Sequence, residues 1–96
     1  MREVRQRSFF KSDLKRESRG RYRDILRKGE DFHKTVETLR QGIRLPLSYK
    51  DHALHGQWEG SRECHIRPDL LLVYTYAGDN VLVLERLGSH SEIFGL

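Results

Sequence analysis

Four of the five histidines, His52, His55, His65 and His90, fall within the last 45 residues, and Asp69 lies among them. An imidazole with an ordinary pKa near ~6.5 gives or takes a proton at neutral pH, so several brought together by folding point to acid/base chemistry. Cutting RNA without a metal needs a base for the 2′-hydroxyl proton, an acid for the leaving 5′ oxygen, and cations around the phosphate. His52, His65 and His90 can supply the first two and Arg62 and Arg86 the third, while Asp69 can orient a histidine. The spacing of His52-Ala53-Leu54-His55 could instead seat a metal, with His65 or Asp69 as third ligand. A single cysteine and the lack of a second tight ligand pair make that the weaker reading. His33, on a helical stretch, reads as a surface residue, Trp58 as core, and Cys64 as a half-buried strand residue.

Elements must carry these groups into register. At 96 residues the chain fits one domain, residues 1–96, with a small core. Its longest apolar run, Leu70 to Tyr74, is strand length and far short of a membrane span. The N-terminus lacks an apolar signal region and only one cysteine is present, which together predict a cytoplasmic address and no membrane. Net charge is +4 but uneven. Residues 1–44 hold 14 Lys and Arg against 7 Asp and Glu, whereas residues 45–96 hold 4 against 7. The first half reads as an electrostatic handle for a polyanion and the second as a reaction centre.

Arg2 to Arg7 suits a charged edge strand, after which Ser8 can cap a helix. From Ser8 to Gln41 the apolar residues recur at helical steps, interrupted near Gly20 and Gly29. Two antiparallel helices are predicted, with their turn between Ser18 and Asp31 and the second ending at Gly42. Leu45-Pro46-Leu47 opens a loop through His52 to Gly56. Arg62 to Arg67, Leu70 to Tyr76 and Val81 to Leu87, separated by turns at Pro68-Asp69 and at residues 77–80, predict a three-stranded antiparallel meander. The expected class is α+β, one sheet with the helices packed on one face.

Beyond spacing, an ordered pattern runs through Tyr49-Lys50-Asp51-His52, Leu54, Gly56, Trp58, Gly60, Arg62-Glu63-Cys64-His65-Ile66, Pro68-Asp69 and Gly88-Ser89-His90-Ser91-Glu92-Ile93-Phe94. This resembles the YafQ-type toxins of the RelE superfamily, closely over residues 45–95 and in layout over the helical half. The resemblance implies the toxin of a bacterial type II toxin–antitoxin system. Such a toxin is a ribosome-dependent, metal-independent endoribonuclease that needs no cofactor and cleaves mRNA in the 30S A site, stopping translation. It places His52, His65, Asp69 and His90 at catalytic positions and Phe94 where the mRNA base is held. Glu63 stands where an aspartate helps set the substrate, and His55 neighbours the site, where it can contact phosphate. The implied partners are a DinJ- or RelB-like antitoxin, the ribosome with its rRNA, mRNA, and operator DNA only through the antitoxin complex. The helical segment around Arg21 to Gly29 is a few residues longer than the family pattern. The alternative is a non-catalytic RNA- or antitoxin-binding module acting mainly in an operator-repressing complex.

Overall fold

Leu70 to Tyr74 is apolar at every position because the strand that contains it is covered on both faces. The computed structural model describes residues 1–95. In chain order it builds β1 (Glu3–Gln6), α1 (Ser8–Glu17), α2 (Asp31–Arg40), β2 (His52–Ala53), β3 (Arg62–Arg67), β4 (Leu70–Ala77), β5 (Val81–Gly88) and α3 (His90–Phe94). Short 3-10 turns lie at Arg23–Leu26, Leu47–Tyr49 and Gly56–Trp58. The five strands form one sheet in the order β1-β5-β4-β3-β2. β3, β4 and β5 are the expected antiparallel meander, and β1 adds to it as an edge strand parallel to β5.

One face of the sheet carries the main core. Leu70, Leu72 and Tyr74 of β4, Leu82, Leu84 and Leu87 of β5 and Cys64 and Ile66 of β3 meet Phe10 of α1, Phe32 and Leu39 of α2, and Leu26 and Leu45 of the connections. The rings of Phe10 and Phe32 stack at 6.0 Å, joining the two helices over this face. Cys64 is wholly buried rather than half-buried. Burial pushes its thiol well above the ordinary value, which makes it a packing residue without nucleophilic character.

The opposite face holds a second, smaller cluster that the periodicity did not anticipate: Leu71, Val73 and Ile93, with Leu54, Trp58 and Phe94 packed against them. Trp58 is therefore a half-buried member of this patch and not part of the main core.

Helix limits follow local chemistry. Ser8 is the first residue of α1 and makes no cap; Arg7 precedes the helix, and its carbonyl accepts the Lys11 N–H at 3.0 Å. Gly42 follows α2 with φ 72°, the left-handed conformation that glycine adopts at low cost. There the Gly42 and Ile43 N–H groups close onto the Leu39 and Thr38 carbonyls at 3.0 and 3.1 Å. No helix of the described residues is long and apolar enough to cross a membrane.

Candidate active site

Two histidines meet on the second face, around one buried carboxylate. β2, two residues within what reads as a loop, pairs His52 with Glu63 of β3. His65 lies two residues further along β3 and so shares the face with Glu63. The Glu63 side chain is 6% exposed, and its Oε2 lies 3.2 Å from His52 Nε2 and 3.6 Å from His65 Nε2. The other ring nitrogens face carbonyls: His52 Nδ1 lies 2.6 Å from the Lys50 oxygen and His65 Nδ1 lies 3.3 Å from that of Pro68. Lys50 is the one non-glycine residue with positive φ among the described residues, at 50°. Each ring thus has an oxygen on either side, although the 3.6 Å approach of His65 to Glu63 is too long for a hydrogen bond.

His90 opens α3 and differs in setting. Its ring lies against Phe94 at 4.9 Å, and Phe94 in turn meets Trp58 edge to face at 5.9 Å. Among the described residues its exposed ring nitrogens make no hydrogen bond. α3 is only five residues long and is held by a capping box in which the Glu92 N–H donates to Ser89 Oγ at 3.2 Å and the Ser89 N–H to Glu92 Oε1 at 2.8 Å. That backbone bond outweighs partial burial and holds the Glu92 carboxyl below its usual range. Ser89→Ala is expected to cost about 1 kcal/mol, confined to α3. Slackening His90 and Phe94 by that amount lowers cleavage roughly fivefold, checked by RNA cleavage beside a thermal melt that falls by roughly 4 to 8 °C.

Asp69 sits in the β3–β4 turn, where it accepts from Tyr22 Oη and pairs with the Arg21 guanidinium. It makes no hydrogen bond or ion pair with a histidine among the described residues; its partners come from the segment after α1. A cleft of about 440 Å³ there is bounded by Gly20, Arg21, Tyr22, Asp69, Ser89 and Ser91. A second, about 360 Å³, adjoins His65 between Ser48–Lys50 and Arg67–Pro68. His55 is 86% exposed, with Glu59 at 3.9 Å, so it stands outside the cluster. No three His, Cys, Asp or Glu side chains are grouped to hold a metal among the described residues.

The two arginines expected near the phosphate are both committed elsewhere. Arg62 pairs across β3–β4 with Tyr74, whose side chain belongs to the main core, so it points away from Glu63 and His65. There it binds Asp51 through Nε and Nη2 at 2.7 and 2.6 Å.

Arg86 does face the site, opposite Val73, because a bulge in β5 between Leu84 and Arg86 breaks the alternation. Its guanidinium is bound to Asp13 of α1 at 2.7 and 3.2 Å, with long contacts of 3.5 Å to the Ile93 and Glu92 carbonyls. Asp13, 3% exposed, also accepts the Leu87 N–H at 3.0 Å, and Arg16 donates to the Leu87 carbonyl at 2.9 Å. These two side chains serve β5 as a neighbouring strand would, just past the last residue of β1. Sequence reasoning missed Asp13, although an acid one residue from Leu14 and three from Phe10, on the inward side of α1, was a visible signal.

A model of the family described as "Bacterial toxin of type II toxin-antitoxin system, YafQ" matches residues 2–95. The chain belongs to the YafQ family. It is 34% identical over 84 residues to the mRNA interferase toxin YafQ of Escherichia coli strain K12, a match covering 79% of this chain and 90% of that protein. The crystal structure of YafQ from Escherichia coli BL21(DE3) superposes with TM-score 0.79 at 28% identity, covering 99% of this chain and all of the other. A copper-bound mutant toxin from Helicobacter pylori gives TM-score 0.83 at 36% identity over 98% of this chain and all of that one. The α+β architecture of this YafQ-family chain is thus the one found in solved YafQ structures, with β2 and α3 added to the expected meander and helical pair.

Proposed function

We propose that this YafQ-family endoribonuclease cuts mRNA in the ribosomal A site by histidine acid/base chemistry. Family membership supports the toxin and mRNA-interferase assignment. The observation that carries the chemistry is the contrast between the two histidines on the sheet and the one that opens α3. His52 and His65 are ringed by acceptors, and His90 has free nitrogens beside an aromatic ring.

With the scissile nucleotide stacked against Phe94, His90 takes the 2′-hydroxyl proton. The 2′ oxygen bonds to phosphorus, the bond from phosphorus to the 5′ oxygen breaks, and His52 or His65 protonates that oxygen as it leaves. The products are a 5′-hydroxyl fragment and a cyclic phosphate that can open to a 3′ phosphate. Each well-placed acid or base contributes typically ~10² to 10⁴ in rate. Glu63 holds the two imidazoles and sets the shape of the substrate pocket. Arg86 acts by fixing α3, and Asp69 by tying Arg21 and Tyr22 to the rim. The basic first half, with Arg5, Arg19, Arg23, Arg27 and Lys28 exposed, meets ribosomal RNA.

Escherichia coli YafQ has been crystallised in complex with DinJ. We assign this chain a cognate antitoxin of the same kind, with operator binding left to the complex. The chain acts in the cytoplasm, where its substrate is.

Ribosome dependence is tested by expressing one mRNA in two forms, with and without its start codon, beside the induced toxin. New 5′-hydroxyl ends are expected at in-frame positions of the translated form only. Equal cutting of both forms rules out the A-site reading, and no new ends in either favours the binding-module alternative.

A further inference from the structure

Phe9 is left in water where the fold offers reasons to bury it. It is 70% exposed, although it sits in the first turn of α1 next to Phe10, which is wholly buried. The Arg86 guanidinium lies over its ring, 5.6 Å from the centroid, within the distance at which a cation and an aromatic face attract. Arg86 is the side chain that reaches the Glu92 and Ile93 carbonyls of α3. Phe9 therefore packs on a half-buried arginine that also reaches the backbone of α3, the helix that carries Phe94.

The surroundings of Phe9 decide what its free face suits. Its neighbours along the chain, Arg7, Ser8, Lys11 and Ser12, are exposed and polar or cationic. The other exposed large apolar side chains, Met1, Ile43 and Leu47, belong to other segments, and Ile43 and Leu47 line a separate cleft with Leu45 and Arg62. A protein-docking surface needs contiguous apolar area, which is missing around Phe9. With Arg7 and Arg86 already paired to Glu85 and Asp13, a lone flat ring beside the exposed Lys11 matches single-stranded nucleic acid chiefly through base stacking, the term that carries sequence-tolerant affinity.

We propose that Phe9 is a second base-stacking platform for the RNA substrate, holding a nucleotide next to the one that Phe94 holds. This rests on the endoribonuclease reading. The site selects by the π-face that every base shares, so it adds affinity with little sequence preference.

The test uses the full chain and its Phe9→Ala and Phe9→Trp variants in two assays. One reads affinity for a fluorescently labelled single-stranded RNA oligonucleotide; the other reads KM and kcat on ribosome-bound mRNA. Stacking of one base predicts that Phe9→Ala weakens oligonucleotide binding by about 5- to 100-fold and raises KM in the same sense, whereas Phe9→Trp binds at least as tightly as the parent.

If the parent fails to cleave, the A-site reading falls, yet oligonucleotide affinity still tests Phe9. Equal RNA affinity of Phe9→Ala and the parent overturns the proposal. So does a variant that keeps RNA affinity but loses the antitoxin, which would make Phe9 a protein contact.

Discussion

His90→Ala cuts mRNA cleavage by two or more orders of magnitude while leaving the fold and its melting temperature close to the parent's. The expectation comes from where His90 sits. It is exposed at the start of α3, its ring lies against Phe94, and it makes no hydrogen bond among the described residues, so removing it disturbs little structure. Loss of one well-placed general base or acid costs typically ~10² to 10⁴ in rate. An interaction made only in the transition state lowers kcat and kcat/KM together. The check is single-turnover cleavage on programmed ribosomes, with circular dichroism and a melt run on the same preparations. A folded variant that cleaves within a few-fold of the parent removes His90 from the chemistry.

Asp13→Ala is expected to lower stability by about 3 to 5 kcal/mol, the cost of stranding one partner of a buried charge pair. A domain of this size has roughly 5 to 15 kcal/mol to lose. Three things go at once: the bonds to Arg86, the acceptor for the Leu87 N–H, and the anchor through which α1 grips the end of β5 that β1 leaves unpaired. Urea titration measures the effect, and a change under about 1 kcal/mol would show that Arg86 finds another partner.

A pH signature accompanies it. Burial alone would raise the Asp13 carboxyl, but hydrogen bonds from Arg86 and the Leu87 N–H outweigh it and hold the group below its ordinary 3.8. The pair therefore contributes fully above the unfolded value, and the contribution disappears as pH falls through the lower folded one. Asp31, held down chiefly by its bond from Arg67, and Glu92 act with the same sign. The parent loses stability on acidification below about pH 4, and Asp13→Ala shows a shallower acid limb.

The meander was readable because an uninterrupted apolar run between two turn signals has few other solutions, and the helical period before it leaves the helices one face to cover. The second cluster was not readable. Nothing in Leu71 and Val73 distinguishes strand positions covered by a helix from positions covered by a five-residue C-terminal turn and a loop. α3 itself carried a signal, Ser89 followed three residues on by Glu92, which is a capping box.

The pairing of His52 and His65 near one carboxylate depended on β2. Two residues show no alternation, so that strand is defined only by its partner. Arg62 shows the opposite case. It adjoins Glu63 on one strand, so the two must point to opposite faces, and strand period alone separates it from the histidines. Asp69 meets Arg21 and Tyr22 because a connection without periodicity folds over the β3–β4 turn.

The position of β5 inside the sheet has a consequence for the timing of synthesis. β5 lies between β1 and β4, so the first strand made has no partner until the last strand has been made. Closing that contact spans most of the chain, an entropic cost met only late in folding. Arg86 and α3, with His90 and Phe94, are placed by the same strand. A ribosome translating this chain therefore carries no assembled nuclease until β5 has emerged, and the toxin's first opportunity to act comes after its own message has been read through that strand.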